Sequence, residues 1–248
     1  MKTFFIGIVT GWMLTLNALA GQVSVAVAAN FNAPMQRIAQ AFEQETGHKV
    51  ILSVGSTGNF YAQIRHGAPF EILLAADDET PLRLEKEGLG VAGSRLTYAI
   101  GKLVLWSRQP GLVDDQGEVL RSGQFQRLAI ANPKLAPYGA AALETLNQLG
   151  VLKNLQPKFV QGENIAQTYQ FVASGNAALG FVALSQVWVE GKPVPGSAWV
   201  VPGHMHTPIQ QDAIVLQKGQ GQLAAQALMR FLRSDKARAI IRSFGYEI

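Results

Sequence analysis

The hydrophobic positions in the first part of the chain alternate between two periodicities. Three short apolar runs, at 23–29, 49–54 and 70–75, indicate strands, and the first has the composition of a buried strand. Each run is followed by apolar residues at helical spacing, as with Met35, Ile38 and Phe42 before Gly47. This alternation predicts an α/β unit in which helices flank a mostly parallel sheet.

The alternation restarts after a long extended stretch at 96–107, which has Gly101 in its middle. Strands and helices then alternate again, and a strand at 211–217 precedes terminal helices. The chain passes from the first α/β unit to the second along one strand and returns along another. This arrangement predicts two lobes with a hinge near Gly101 and Pro208. We assign the lobes by sequence range: the first to 21–101 and 208–248, the second to 102–207.

Residues 1–20 have the pattern of a secretory signal peptide. Lys2 precedes an apolar stretch, and Ala18-Leu19-Ala20 resembles a cleavage site. The alternative is a membrane anchor, but the apolar stretch is at the short limit for a spanning helix. We therefore expect an exported, periplasmic protein whose mature chain begins at Gly21.

The composition narrows the range of partners. The 248 residues include no cysteine and carry a formal net charge of +4. We expect no disulfide and no lipid-anchored N-terminus. The lysines and arginines are scattered, which disfavours a nucleic-acid partner, whereas a mild positive charge could steer a small anion. We expect a freely diffusing monomer.

Polar, glycine-rich turns lie at four places between a predicted strand and a helix. They contain the candidate binding residues Asn30, Ser56, Thr57, Tyr138 and Ile165. Ligands of open α/β sheets bind at the carboxyl ends of the strands. The first N–H groups of a helix lack internal partners and carry a partial positive charge, so they bind oxyanions without lysine or arginine. The turns therefore predict a cleft that binds an anion through uncharged donors.

Such a cleft prefers a fully deprotonated tetrahedral dianion, because a ligand proton would face another donor at a cost of about 1–3 kcal/mol. Each residue also has a simpler alternative role. Asn30 and Asn32 could only cap the first helix, Ser56-Thr57-Gly58 could be an ordinary turn, and Tyr138 could be a packed aromatic.

Enzymatic alternatives have weaker support. The Ser56 turn lacks the G-x-S-x-G pattern of a hydrolase, and no Gly-Lys-Ser/Thr follows as in a P-loop. His204-Met205-His206 suggests a metal but has no cysteine or well-placed carboxylate beside it. Asp77-Asp78-Glu79 is at a predicted helix start, which favours capping and dipole stabilisation.

Four segments together resemble the periplasmic molybdate-binding proteins of ABC transporters. These segments begin with AVAANFNAP, GSTGNFYAQI, ANPKLAPYGA and GENIAQTYQF, and the similarity covers 22–248. The resemblance implies a two-lobed type II periplasmic binding fold. It also implies a non-enzymatic protein without a cofactor, which captures molybdate, and usually tungstate, for an inner-membrane permease with a cytoplasmic ATPase. Molybdenum would be held only as molybdate. Sulfate or another tetrahedral oxyanion stays open as the ligand, as does a sensor role.

The resemblance also implies the ligand contacts. Asn30 would contribute its side chain and N–H, where other members have serine, and Thr57 would contribute its hydroxyl beside Ser56. Tyr138 and Ile165 would contribute backbone N–H groups. One branch of the family places a ligand tyrosine where this chain has Ala183, and another carries it at the Pro-Tyr-Gly turn, which matches Tyr138.

Overall fold

The computed structural model describes residues 21–192 and 194–248. The predicted signal peptide at 1–20 lies outside the described residues. The strands are β1 (Gln22–Ala28), β2 (Lys49–Gly55), β3 (Ile72–Leu74), β4 (Leu96–Gly101), β5 (Leu103–Ser107), β6 (Leu128–Ala131), β7 (Phe159–Gly162), β8 (Leu179–Ala183), β9 (Ser197–Val200) and β10 (Ile209–Val215). The helices are α1 (Asn32–Thr46), α2 (Thr57–Arg65), α3 (Glu79–Lys86), α4 (Val119–Ser122), α5 (Pro137–Gln148), α6 (Leu152–Leu155), α7 (Ile165–Ala173), α8 (Leu184–Val187), α9 (Leu223–Phe231) and α10 (Asp235–Ser243).

The first sheet has the strand order β2-β1-β3-β10-β4. β1 pairs in parallel with β2 and β3, whereas β10 is antiparallel to both β3 and β4. The sheet is therefore mixed, and the prediction of a mostly parallel sheet was too simple here. The reason is chain direction: β4 runs out of this sheet towards the second one, and β10 runs back beside it.

The second sheet has the order β7-β6-β8-β5-β9. β6 is parallel to β7 and β8, and β5 is antiparallel to β8 and β9. Only Lys102 separates β4 from β5, so the long extended stretch of the sequence is two strands in two different sheets. The exact lobe boundaries at 101/102 and 207/208 stay a prediction.

Helices cover both faces of the first sheet. On one face Phe42 of α1 packs in the same apolar cluster as Leu228 of α9 and Ile241 of α10. On the other face Phe60 of α2 and Leu84 of α3 pack in a second cluster. The terminal helices therefore pack on the first sheet, as the sequence predicted. No helix of the described part of the chain is long and apolar enough to cross a membrane.

Candidate anion-binding site

A small cavity lies where four helices begin, at the junction of the two sheets. It is lined by all five residues predicted for the binding site, Asn30, Ser56, Thr57, Tyr138 and Ile165. The other lining residues are Ala28, Ala29, Gly55, Ala76, Ala136, Pro137 and Asn164. Every residue in this lining is uncharged, so an anion there would meet dipoles and hydroxyl groups only.

Asn30 lies in a short 3-10 turn, Ala29–Phe31, between β1 and α1. Phe31 is the N-cap residue of α1, and the Asn30 side chain makes no cap. Its Nδ2 instead donates to Gln211 Oε1 at 2.8 Å and to the Tyr246 hydroxyl at 3.0 Å. Its Oδ1 is buried without a hydrogen-bond partner among the described residues. The alternative role of Asn30 as a helix cap is therefore wrong.

Ser56 and Thr57 begin α2 with different hydrogen bonding. Ser56 is the N-cap residue in an extended conformation, yet within the described ranges its buried Oγ has no partner. The Thr57 hydroxyl oxygen accepts a 2.9 Å hydrogen bond from the Ala76 N–H. Because that oxygen is already an acceptor, its own proton is left to donate to another group.

At α7 the local hydrogen bonds leave one backbone donor. The Asn164 side chain caps the helix by accepting from the N–H groups of Ala166 and Gln167 at 3.0 Å each. The Thr168 N–H donates to the Asn164 carbonyl. The Ile165 N–H is therefore the first-turn donor that this cap leaves for another acceptor.

Tyr138 follows Pro137 at the start of α5, where the backbone N–H groups lack helical partners. Its side chain is buried, and its hydroxyl accepts a 3.2 Å hydrogen bond from Gln211 Nε2. Burial raises the pKa of Tyr138 well above the usual value, so the hydroxyl keeps its proton. The tyrosine therefore joins a buried hydrogen-bond network in addition to packing in the apolar core of the second sheet.

That network contains residues that the sequence analysis missed. Tyr246 and Ser185 both donate to the Asn30 carbonyl at 2.9 Å, and the Tyr98 hydroxyl donates to Ala75 O at 2.7 Å. Ser185 belongs to the part of the chain that forms the second sheet, so its bond to Asn30 joins the two halves. The sequence carries one signal for this network, the polar residue Gln211 in the predicted strand at 211–217, and the structure buries its side chain fully.

The wider cleft that leads to this cavity is lined by ionisable residues, unlike the cavity itself. Its ionisable lining residues are Asp77, Asp78, Glu79, Lys134 and Glu144. Burial raises the pKa of Asp77 to about 6, although Asp77 also accepts a hydrogen bond from the Thr80 N–H. The carboxylates outnumber the single lysine, so the cleft mouth itself does not provide the positive field that the net charge suggested.

Within the described ranges, no group of three or more histidine, cysteine, aspartate or glutamate side chains could hold a metal ion. His206 instead contacts the Thr207 carbonyl through Nδ1 at 2.7 Å.

Known proteins share this architecture along nearly the whole chain. The Molybdate-binding protein ModA of Azotobacter vinelandii is 59% identical over 94% of this chain and 93% of its own length. The Molybdate-binding protein ModA of Rhodobacter capsulatus is 50% identical over 94% and 91%. A solved structure of an Azotobacter vinelandii periplasmic molybdate-binding protein matches with a TM-score of 0.89 and 42% identity. That match covers 91% of this chain and 99% of the solved chain.

These matches confirm the resemblance and the two-lobed fold expected from the sequence. The family model described as bacterial extracellular solute-binding protein matches residues 23–247. The chain belongs to the bacterial extracellular solute-binding protein family.

Proposed function

We propose that this protein captures molybdate for an ABC transporter. The observation that carries the proposal is the buried hydroxyl of Ser56, which can donate a proton and has no partner among the described residues, in a cavity whose lining is uncharged. Leaving a buried polar group unpaired costs about 1–3 kcal/mol, so such atoms indicate a polar ligand. The names of the relatives identify molybdate as the ligand to test.

The donors of the cavity suit a doubly negative tetrahedral ion. Thr57 offers a hydroxyl proton, and Tyr138 and Ile165 offer N–H groups at helix starts. Charge-assisted hydrogen bonds of this kind are stronger than neutral ones, particularly away from water. Discrimination from sulfate would come from size, because donors set for a larger tetrahedron hold a smaller ion through stretched bonds.

Binding would stabilise the closed arrangement of the lobes. We infer that the lobes rotate about the crossing segments near Gly101 and Pro208, and that the anion shifts the equilibrium only as far as it prefers the closed form. A membrane permease with a cytoplasmic ATPase would then recognise the closed monomer in the periplasm. Tungstate would share the site, and the protein would perform no covalent reaction.

The experiment is calorimetric titration of the chain from Gly21 onwards with molybdate, tungstate and sulfate. We expect tight binding of molybdate and tungstate and much weaker binding of sulfate. Sulfate bound more tightly than molybdate would assign the protein to a different oxyanion, and no heat with any of them would contradict oxyanion capture.

A matched pair of variants tests the cavity itself. Ser56→Ala removes a buried hydroxyl that has no partner among residues 21–192 and 194–248, so stability should hold while molybdate affinity falls by about 10- to 100-fold. Ser174→Ala, at the exposed end of α7, should leave the affinity unchanged. Equal affinities of the two variants would remove Ser56 from the site.

A further inference from the structure

The amide of Asn30 lies between the cavity and the buried network behind it. Its Nδ2 donates to Gln211 and to Tyr246, and neither of these residues lines the cavity. Oδ1, the other end of the amide, is therefore the end on the cavity side, and it has no partner in the described part of the chain. In this orientation Asn30 would present an acceptor to a bound anion, which is repulsive.

The reverse orientation of Asn30 is satisfied only if Gln211 turns as well. Asn30 Oδ1 would then accept from Gln211 Nε2 and from the Tyr246 hydroxyl, across the same 2.8 Å and 3.0 Å separations. Gln211 Oε1 would accept from the Tyr138 hydroxyl across the 3.2 Å separation. Because amide nitrogen and oxygen are nearly equal in size, both orientations use the same heavy-atom positions.

Packing restricts Gln211 to these two orientations. The side chain is fully buried on β10, and the Tyr98 hydroxyl lies 3.1 Å from its Oε1. A Cβ atom at Gly101 would lie 2.6 Å from Gln211 Nε2, so the glycine provides the space in which the amide sits. Turning one amide alone would place two donors or two acceptors face to face, so the two amides turn together.

We propose that Gln211 is a positioning residue of the oxyanion site, which turns together with Asn30 so that Asn30 Nδ2 donates to the bound dianion. This inference rests on the proposed function, because the dianion is what selects the reversed pair. A deprotonated anion accepts a charge-assisted hydrogen bond from Nδ2, whereas Oδ1 has no proton to donate to it. Tyr138 accommodates either orientation, since a hydroxyl both donates and accepts. Tyr246 does so by moving its one proton from the Asn30 carbonyl to Asn30 Oδ1, and the carbonyl still accepts from Ser185.

The direct test is NMR of the side-chain amides in the ¹⁵N-labelled wild-type protein with and without molybdate. Loss of a signal in Asn30→Ser and in Gln211→Met assigns the two groups. We expect both amide signals to move on binding, because each side-chain NH₂ group changes its hydrogen-bond acceptors. An unchanged Gln211 signal in a protein that binds molybdate would overturn the positioning role and leave the proposed function intact. Absence of binding by the wild type would contradict both.

Replacing the Gln211 amide by a carboxylate, which accepts hydrogen bonds but does not donate them, tests through molybdate affinity how Gln211 orients Asn30. Gln211→Glu, when ionised, forces Asn30 Oδ1 towards the anion, and molybdate binding should weaken by about 10- to 100-fold. Binding should recover as the pH falls and the new carboxyl becomes a donor. Gln210→Glu adds the same charge one position along, where Gln210 contacts Thr97, and should have little effect. Equal losses in the two variants would contradict the proposal.

A double-mutant cycle separates positioning from simple charge repulsion. In the Asn30→Ser background the pH-dependent loss caused by Gln211→Glu should shrink, because no amide is left to position. An undiminished loss would show repulsion alone and would overturn the inference. If Gln211→Glu does not fold, Gln211→Met decides: it should weaken binding, and affinity equal to wild type would overturn the proposal.

Discussion

The Gly58 N–H donates a 2.9 Å hydrogen bond to the carbonyl of Leu135. Gly58 lies in the first turn of α2, next to Thr57, and Leu135 lies shortly before α5. The bond therefore joins the two halves of the protein at the edge of the candidate site. A Cβ atom at Gly58 would lie 2.9 Å from Leu135 Cα, so this close approach requires glycine.

Gly58→Ala should therefore separate closure from folding. The added methyl group meets Leu135 only when the lobes are closed, so the open, ligand-free protein should be about as stable as wild type. Molybdate affinity should fall, because the methyl group opposes the closed arrangement. Calorimetry and thermal unfolding measure the two effects.

The control is a second glycine-to-alanine substitution away from the site. Gly67→Ala is unsuitable because Gly67 has a φ of +85°. At Gly203 an added Cβ atom meets nothing within 4 Å, so Gly203→Ala should leave molybdate affinity unchanged. Unchanged affinity of Gly58→Ala would show that this approach is not needed for binding.

Thr57→Val removes one hydroxyl at nearly constant shape. The loss of a hydrogen bond to a charged ligand should weaken molybdate binding by about 10- to 100-fold. The Ala76 N–H also loses its acceptor, so a modest loss of stability should accompany the loss of affinity. Titration calorimetry and denaturant unfolding report the two quantities.

Thr46→Val is the matched control for this substitution. The Thr46 hydroxyl also accepts from a backbone N–H, that of His48, but it lies at the end of α1 and does not line the cavity. We expect a loss of stability without a loss of affinity. If the two variants bind molybdate equally well, Thr57 is not a ligand.

Local sequence patterns predicted most of the elements because each pattern has a local physical cause. The helical spacing of Met35, Ile38 and Phe42 and the left-handed Gly47 mark α1 and its end. The candidate residues were found in the same way, since each lies in a polar turn between a predicted strand and a helix. The cavity brings all five together.

Features that depend on chain contacts between distant residues were not predictable. Gln211 and Asn30 are 181 positions apart, and no periodicity relates them. The antiparallel pairing of β10 depends on where the chain returns to the first sheet, and the short β9 has no distinctive pattern. Charge also misled: the net charge of the chain is positive, whereas the cleft mouth is mainly acidic.

Asp77 should make stability depend on pH. Burial raises its pKa in the folded state from 3.8 to about 6, so between these values the folded protein binds more protons than the unfolded chain. The free energy of unfolding should therefore fall as the pH rises through this window. Urea denaturation of the ligand-free protein at several pH values measures it. Asp77→Asn should flatten this dependence of stability on pH, and the asparagine keeps an acceptor for the Thr80 N–H. Asp115→Asn, in an exposed turn, should leave the dependence as it is in the wild type. An unchanged slope in Asp77→Asn would exclude Asp77 as the source.

The acidic cleft mouth should slow the approach of a dianion. Glu79 is exposed at the start of α3 and lines the mouth, so Glu79→Gln removes a charge that repels the incoming anion. The association rate constant for molybdate should rise at low ionic strength, and the difference should shrink near 0.1 M salt, where the screening length is about 10 Å. Stopped-flow fluorescence measures the rate. Glu43→Gln makes the same charge change at an exposed position of α1 outside the mouth. If both variants speed association equally, the net charge of the protein controls capture rather than the carboxylates of the cleft.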